Sequence, residues 1–392
     1  MVKEITRFSF PVSIIYGPGS IGELPGEFKE LGVKKPLIVT DPMMEKTDSF
    51  KSILKVLEGH SIEYKVFSGV QPNPHDVDVE NGVAVYKSAN CDFIIGVGGG
   101  SPMDAAKALA VLVGEGGDIA DYDAQSSTKK EITGPLPKII LIPTTAGTGS
   151  EVGKCSVISS TSQGRKIFLC HQLMVPARAV LDPELTVSLP PHLTASTGMD
   201  ALTHSIESLT APVFHPMCDG IALKGIELVI KNLEKAVKNP TDIEARGYMM
   251  LGAMMGAVAF QKDLGTAHSL SHALSAVCNL QHGLANAIVL PFVMNYNKEV
   301  SKSEYAIIAR EFGINTFGMD ELEAAEKAIE EVRALNKRIG IPASLKDVGV
   351  KEEQLDEIGG KAFLDPCHYT NSRSCTQDDL MSLLKEAFLG GF

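Results

Sequence analysis

The chain has 392 residues, a length that suits two domains rather than one ordinary core. Hydrophobic residues make up 44% of it and charged residues 21%, as in a folded globular protein rather than a disordered one. A formal charge of −12 argues against nucleic acid or an anionic membrane surface as the main partner, because such binding depends on Lys and Arg neutralising phosphates.

The sequence gives no indication of membrane insertion or secretion. No apolar run approaches the roughly 20 residues that span a bilayer, and the opening stretch MVKEITRFSF lacks the apolar core and cleavage site of a signal peptide. The seven cysteines are scattered and form no CxxC pair, which excludes a zinc-finger spacing and argues against a disulfide framework. We therefore predict a protein of the reducing cytoplasm.

The first half of the chain alternates strand and helix patterns. Short apolar or β-branched runs at 36–41, 92–100 and 138–145 are separated by helical patterns such as 45–58 and 77–89. This alternation predicts a parallel sheet covered on both faces. The three runs end in Thr-Asp, Gly-Gly-Gly-Ser and Thr-Thr-Ala-Gly. Because ligands of open α/β sheets bind at the carboxyl ends of strands, we expect these endings to converge.

The second half has the pattern of a helical domain. After the Pro/Ser/Thr break SLPPHLTAST come Ala-, Leu- and Met-rich stretches with helical periodicity at 218–238, 241–261, 268–279, 301–312 and 319–339. We interpret Pro240, Gly283 and Pro291 as helix stops. The predicted organisation is a nucleotide-type α/β domain at 1–187 and an all-helical domain at 188–392.

The run GVGGGSPMDAAKALA follows a strand pattern and leads into a helix. Glycines let backbone N–H groups approach a phosphate, and the helix N-terminus adds a favourable dipole. The run is not the GxGxxG fingerprint, and the usual downstream acid is missing, so a standard Rossmann site does not fit. Asp41 ends an earlier strand, where it could bond a ribose diol and favour NAD over NADP. Alternatively, the glycines only form a turn and Asp41 caps a helix; the second small-residue turn, PTTAGTGSE, favours the dinucleotide site.

Two pairs of polar residues have the spacing of neighbours on one helix face. Asp200 and His204 form one pair, and His268 and His272 the other. His282 would lie about 21 Å beyond His268 on a continuous helix, so a break in CNLQHG is needed to bring it back. One Asp and three imidazoles suit Fe²⁺ or Zn²⁺, and not all five residues need be ligands. The alternative is that these histidines are surface residues or hydrogen-bonded core residues.

Together these stretches resemble the iron-containing (group III) alcohol dehydrogenase family. The similarity runs from YGPGSIGEL to SRSCTQDDLMSLLKEAF and includes PNP (72–74), GGGSPMDAAKA, PTTAGTGSEV, GMDALTHSIE and AHSLSHALSAVCNLQHGLANAIVLPFVMNYN. It implies a dehydroquinate synthase-like fold: an N-terminal dinucleotide domain, a helical C-terminal domain and a metal in the cleft between them. It also implies a homodimer or larger homo-oligomer.

The resemblance implies a role for each matched residue. The metal would be Fe²⁺ or alternatively Zn²⁺. His272 would lie beside the nicotinamide and would not bind the metal. The metal ligands would be Asp200, His204, His268 and His282. The residues implied to contact NAD are Asp41, Asn73, Gly98, Gly99, Ser101, Asp104, Thr144, Thr145, Thr148 and Lys166.

The implied reaction is reversible hydride transfer between a small alcohol and NAD, with the metal as Lewis acid and His272 relaying the alcohol proton. Two stretches depart from the family pattern, GKCSVIS and CHYTNSR, and leave the substrate open. Lys154 and His368 could favour an anionic aldehyde, unless both are surface residues. The alternatives are a lyase of the dehydroquinate synthase type that uses NAD transiently, and a metallohydrolase or non-catalytic metal-binding protein.

Overall fold

The computed structural model describes residues 12–391 of the chain. These residues form two compact units: an α/β unit at 12–145 and 149–189, and a helical unit at 146–148 and 190–391. The opening stretch, on which our expectation about secretion rests, lies outside the described residues. Within 12–391, no helix combines the length and the apolar character needed to cross a membrane.

A six-stranded parallel sheet forms the centre of the α/β unit. Across residues 12–391 the strands are β1 (Ser13–Tyr16), β2 (Pro36–Val39), β3 (Lys65–Phe67), β4 (Phe93–Gly98), β5 (Ile139–Pro143), β6 (Cys155–Ser160), β7 (Arg165–Cys170) and β8 (Arg178–Leu181). The sheet order is β1-β8-β5-β4-β2-β3, and every pairing in it is parallel. The predicted parallel sheet is therefore confirmed. Strands β2, β4 and β5, whose endings we singled out above, are neighbours in this order. Their carboxyl ends therefore lie side by side.

Helices cover both faces of this sheet. They are α1 (Leu24–Leu31), α2 (Asp48–Gly59), α3 (Asp76–Ser88) and α4 (Gly100–Gly114). Side chains of a strand alternate between faces: Ile94 of β4 packs in one apolar cluster with α3 and α4, and Ile95 in the other with α1 and α2. Thr47 caps α2 by accepting a hydrogen bond from the Phe50 N–H, which fixes where that helix starts.

Strands β6 and β7 form a separate antiparallel hairpin. Cys155 and Cys170 face each other in its register and are joined by a disulfide. We did not predict this bond, because the two cysteines, 15 residues apart in sequence, have no diagnostic spacing. One bond on a hairpin is not the framework of several that disulfide-rich secreted domains require.

The second unit is helical, as predicted. Its helices are α5 (Pro191–Thr210), α6 (Pro216–Lys238), α7 (Ile243–Ala259), α8 (Thr266–Cys278), α9 (His282–Asn297), α10 (Lys302–Glu311), α11 (Glu321–Arg338), α12 (Leu355–Leu364) and α13 (Gln377–Leu389). Pro240 lies between α6 and α7, as expected. The helices pack around one apolar cluster in which Leu202, Leu270 and Leu290 are fully buried.

The interpretation of Pro291 as a helix stop is wrong, because this residue lies inside α9. Proline has no N–H, so the carbonyl four residues earlier loses its helical partner. That carbonyl belongs to Ala287, and the Asn336 side-chain amide donates to it at 2.6 Å. The helix continues through the proline because a neighbouring helix supplies the missing donor.

Candidate functional site

Helix α5 carries the first pair of candidate ligands. Asp200 and His204 lie one turn apart and are both buried, with 2% and 5% of their surfaces exposed. The Asp200 Oδ1 atom is 4.0 Å from His204 Nε2. The i,i+4 spacing therefore brings a carboxylate oxygen and an imidazole nitrogen together, as the sequence predicted.

A break between α8 and α9 brings in the next two histidines. Asn279 ends α8 in the left-handed conformation with φ 51°, which Asn tolerates better than most residues. Gln281 then caps α9 by accepting from the Leu284 N–H at 2.6 Å. As a result, His268 Nε2 and His282 Nε2 lie 3.8 and 3.4 Å from Asp200 Oδ1.

Gly283 does not make this break, contrary to our interpretation of it as a helix stop. It lies in the first turn of α9 and is buried. A Cβ on Gly283 would overlap the Ser196 carbonyl of α5. The glycine is needed there because it lets the start of α9, including His282, approach the Asp200 side of α5.

The geometry of the four residues fits a divalent transition metal. One carboxylate and three imidazoles supply the N and O donors that Fe²⁺ and Zn²⁺ accept in proteins. The Asn286 Nδ2 group lies 2.8 Å from Asp200 Oδ1, 3.2 Å from His268 Nε2 and 3.3 Å from His282 Nε2. These three acceptor atoms therefore direct their lone pairs toward one region of a buried cluster. The sequence analysis missed Asn286, although it follows His282 at the same four-residue spacing as the ligand pairs.

Glu207 is a second residue that the sequence analysis missed. Its carboxylate is buried and accepts hydrogen bonds from His268 Nδ1 at 2.5 Å and from the Ala267 N–H at 2.7 Å. A carboxylate that accepts from Nδ1 leaves the lone pair of the imidazole on Nε2, the nitrogen that faces Asp200. Gly265 makes room for this contact, since a Cβ there would stand 2.8 Å from Glu207 Oε1. Glu207 follows His204 by three residues on α5, and this spacing was the available signal.

The surroundings of these groups set their protonation. Burial lowers the pKa of His204 to about 4, so the imidazole is neutral at neutral pH, the form that binds metals. Burial alone would raise the pKa of Asp200, but the neighbouring histidines lower it below its ordinary value. For His268, burial lowers the pKa and the Glu207 carboxylate raises it, with a net upward direction.

His272 faces a different carboxylate. Its Nδ1 lies 2.8 Å from Asp365 Oδ2, while its ring stacks on His282 with centroids 5.2 Å apart. Asp365 Oδ1 also accepts from Ser269 Oγ and from the Cys367 N–H. Burial alone would raise the pKa of Asp365, but the hydrogen bonds from His272 and Cys367 lower it, so the carboxylate stays charged and orients the ring.

At the carboxyl ends of the neighbouring strands β2, β4 and β5, the glycine and threonine turns lie together. Asp41 Oδ2 is 3.6 Å from the point where a Cβ on Gly98 would stand, and the corresponding point on Gly99 is 3.5 Å from Thr145 Cγ2. The Thr144 N–H donates to the Gly98 carbonyl at 2.9 Å. Asp41 Oδ1 accepts from two backbone N–H groups in the turn that follows, so this residue stabilises a turn and also faces the glycines.

Among the other residues predicted to bind the cofactor, Lys166 contacts Asn73, and Asp104 accepts hydrogen bonds from its own unit. Lys166 Nζ donates to Asn73 Oδ1 at 3.0 Å, and burial lowers the pKa of this lysine. Asp104 accepts from Ser150 Oγ at 2.6 Å and from the Val157 N–H at 3.0 Å. Its oxygens are therefore occupied by the hairpin and the preceding turn, which favours a positioning role for Asp104.

The remaining predicted residues are distributed between the units. Ser101 lies in the first turn of α4, and Thr148 lies in the segment 146–148 that groups with the helical unit. Lys154 is exposed. His368 is buried, with its Nε2 2.9 Å from the Phe363 carbonyl and its ring stacked on Phe363. Neither our suggestion of a surface position nor that of an anion-binding position fits His368, because a backbone carbonyl occupies Nε2.

Comparisons with known proteins agree with this architecture. The family model for iron-containing alcohol dehydrogenase matches residues 11–183, and the model for the C-terminal part of the Fe-containing alcohol dehydrogenase family matches 194–388. The chain is 37% identical to the NAD-dependent methanol dehydrogenase of Bacillus methanolicus, over 98% of this chain and 100% of the relative.

Solved structures also match this chain over nearly its whole length. A crystal structure of 1,3-propanediol oxidoreductase matches with a TM-score of 0.94 and 35% identity, covering 98% of this chain and 100% of that chain. The sulfoacetaldehyde reductase of Bifidobacterium kashiwanohense, solved in complex with NAD⁺, matches with a TM-score of 0.87 and 30% identity, covering 98% and 99%.

Proposed function

Since the chain belongs to the iron-containing alcohol dehydrogenase family and is an oxidoreductase, we propose that it transfers a hydride reversibly between a small alcohol and NAD at a bound divalent metal. The observation that carries this proposal is the convergence of Asp200 Oδ1 with three imidazole Nε2 atoms at 3.4–4.0 Å. The proposed ligands are Asp200, His204, His268 and His282. Fe²⁺ is the proposed metal and Zn²⁺ the alternative. When bound, the metal supplies Lewis acidity to the substrate oxygen.

The protein's own residues prepare this site. Glu207 keeps the proton of His268 on Nδ1, so that Nε2 faces the metal position. The Asn286 amide nitrogen lies 2.8–3.3 Å from Asp200 Oδ1 and from two imidazole Nε2 atoms, which marks the region where the proposed ligand atoms converge. Because burial keeps His204 neutral, this proposed ligand adds no positive charge that would repel a cation.

His272 is proposed as the group that moves the alcohol proton. Asp365 holds the Nδ1 proton of His272, which leaves the lone pair on Nε2 to accept a proton. The His272 side chain is 19% exposed, so a proton received there has a path to water. In aldehyde reduction the same ring would donate a proton in the reverse direction.

For the cofactor, we propose that NAD contacts the turns of the α/β unit. Asp41 beside Gly98 supports a preference for NAD over NADP, since a carboxylate there binds a ribose diol and repels a 2′-phosphate. The relatives named above include one described as NAD-dependent and one solved with NAD⁺. They are dehydrogenases and reductases, so the lyase alternative gains no support from them. Homo-oligomerisation and a cytoplasmic location stay predictions.

The test is NADH oxidation by protein purified without oxygen, stripped of metal by chelation and then supplied with Fe²⁺ or Zn²⁺. We expect the metal to restore activity with small aldehydes. A panel of matched neutral and anionic aldehydes, assayed on wild type and Lys154→Ala, then measures whether the exposed lysine favours an anion. A metal-loaded protein that binds NADH but reduces no aldehyde would contradict the proposal.

A further inference from the structure

A second group of metal-binding side chains lies beside the first. His272, Asp365 and Cys367 each offer a ligand atom, and these three atoms all lie within 4.8 Å of one another. His272 projects from α8, while Asp365 and Cys367 lie at the start of the short turn 365–370 that packs against this helix. None of the three belongs to the proposed ligand set of Asp200 and its three histidines.

We propose that His272 Nδ1, Asp365 Oδ2 and Cys367 Sγ bind a second, thiophilic divalent cation such as Zn²⁺ or Cd²⁺, and that this cation inhibits the enzyme. An N, O and S donor set is typical of zinc sites in proteins. The first cluster contains no sulfur, so a soft cation distinguishes the two sites. Inhibition rests on the proposed function of His272, whereas binding of the cation does not.

The geometry requires only small movements. Zinc–ligand bonds of about 2.0–2.3 Å place the donor atoms of a tetrahedral site roughly 3.3–3.7 Å apart. His272 Nδ1 and Asp365 Oδ2 are now 2.8 Å apart because a proton lies between them. Replacing that proton by a cation separates the two atoms by roughly 0.5–0.9 Å. Asp365 Oδ1 keeps its hydrogen bonds from Ser269 Oγ and the Cys367 N–H, which hold the carboxylate in place.

The proton balance explains the inhibition. The Cys367 thiol releases its proton to solvent and binds as the thiolate. The proton on His272 Nδ1 is released to solvent and Nε2 takes one up, so the neutral imidazole binds the cation through Nδ1 and carries its proton on Nε2. A ring in that state has no lone pair on Nε2 and accepts no proton from an alcohol. The cation therefore blocks the relay by fixing the wrong tautomer, without displacing the metal of the first site.

Titration with Cd²⁺ tests the binding, because a cadmium–thiolate bond produces an ultraviolet charge-transfer band that carboxylate and imidazole ligands do not. We expect one equivalent of the band in the Fe²⁺-loaded wild type, and its loss in Cys367→Ser. Cys278→Ser is the matched control, since Cys278 is also a free, half-buried thiol, and it should keep the band. His268→Ala should keep the band as well, although it loses a first-site ligand. A wild type without the band, or a Cys367→Ser variant that retains it, would overturn the second site.

Turnover measured in the same titration tests the inhibition. We expect Cd²⁺ to inhibit the wild type and Cys278→Ser at the stoichiometry of the band, and to spare Cys367→Ser. Equal inhibition of all three proteins, with the band still confined to those that have Cys367, would overturn the inhibitory role of the second site, because the inhibition would then not depend on Cys367. It would leave the second binding site standing.

Discussion

Replacement of Glu207 by Gln would reveal how strongly the proposed ligands depend on their surroundings. The Glu207 carboxylate accepts from two donors, the His268 Nδ1–H at 2.5 Å and the Ala267 N–H at 2.7 Å. A glutamine amide has a single oxygen, so it can satisfy one of these donors while its NH₂ group faces the other. If the NH₂ group faces His268, the imidazole proton must move to Nε2, and the lone pair proposed to bind the metal is lost.

We expect Glu207→Gln to weaken Fe²⁺ binding by about 10–100-fold, the range found when hydrogen-bond partners of metal ligands are removed. This corresponds to about 1.4–2.7 kcal/mol of binding free energy. The affinity is measured by competition with a chelator under anaerobic conditions, which requires no turnover.

Asp365→Asn is the matched control, because it makes the same carboxylate-to-amide change beside His272. It should keep the Fe²⁺ affinity and lower kcat. Unchanged Fe²⁺ affinity in Glu207→Gln would refute the reasoning. An equal loss in Asp365→Asn would show that any buried amide in this region disturbs the site.

Three further predictions concern the ligands, the helix packing and a buried acid. His268→Ala should lose the metal, whereas His272→Ala should keep it and turn over slowly; metal analysis beside kcat distinguishes them, and equal metal loss would contradict this division of roles. In a denaturant titration, Gly283→Ala should reduce the free energy of unfolding by about 1–3 kcal/mol, because the added Cβ would overlap a carbonyl of α5. The control is Gly220→Ala, on an open face of α6. It should be neutral or stabilising by up to about 1 kcal/mol. Burial raises the pKa of Glu151 to about 7 from 4.5; the unfolded state therefore loses this proton first, and stability should fall by up to about 3 kcal/mol as pH rises through that interval. In Glu151→Gln that part of the pH dependence should vanish, and an unchanged pH profile of unfolding would contradict it.

Elements with a strong local pattern were predictable from the sequence. Strands β4 and β5 are buried on both faces, so they are continuous apolar runs, and each ends in small residues that mark the turn. The pair Asp200 and His204 was predictable because helix geometry places residues four apart on one face.

Features that depend on distant partners were not predictable. Glu207 and His268 are 61 residues apart in sequence, and His272 and Asp365 are 93 apart. No local sequence pattern indicates that residues so far apart will be in contact. The same reason explains the error at Pro291, since the donor that allows the proline inside α9 comes from Asn336 on another helix.

The position of β1 at the edge of the sheet has a consequence for biosynthesis. The only sheet partner of β1 among residues 12–391 is β8, and just beyond β1 the Gly19 N–H donates to Asp182, 163 residues later in the sequence. At about 5–20 residues per second, a ribosome needs on the order of ten seconds or more to make the intervening chain. The first strand therefore stays unpaired throughout that interval, and contacts so distant in sequence form slowly. We expect a nascent chain arrested before β8 to depend on chaperones that cover this strand.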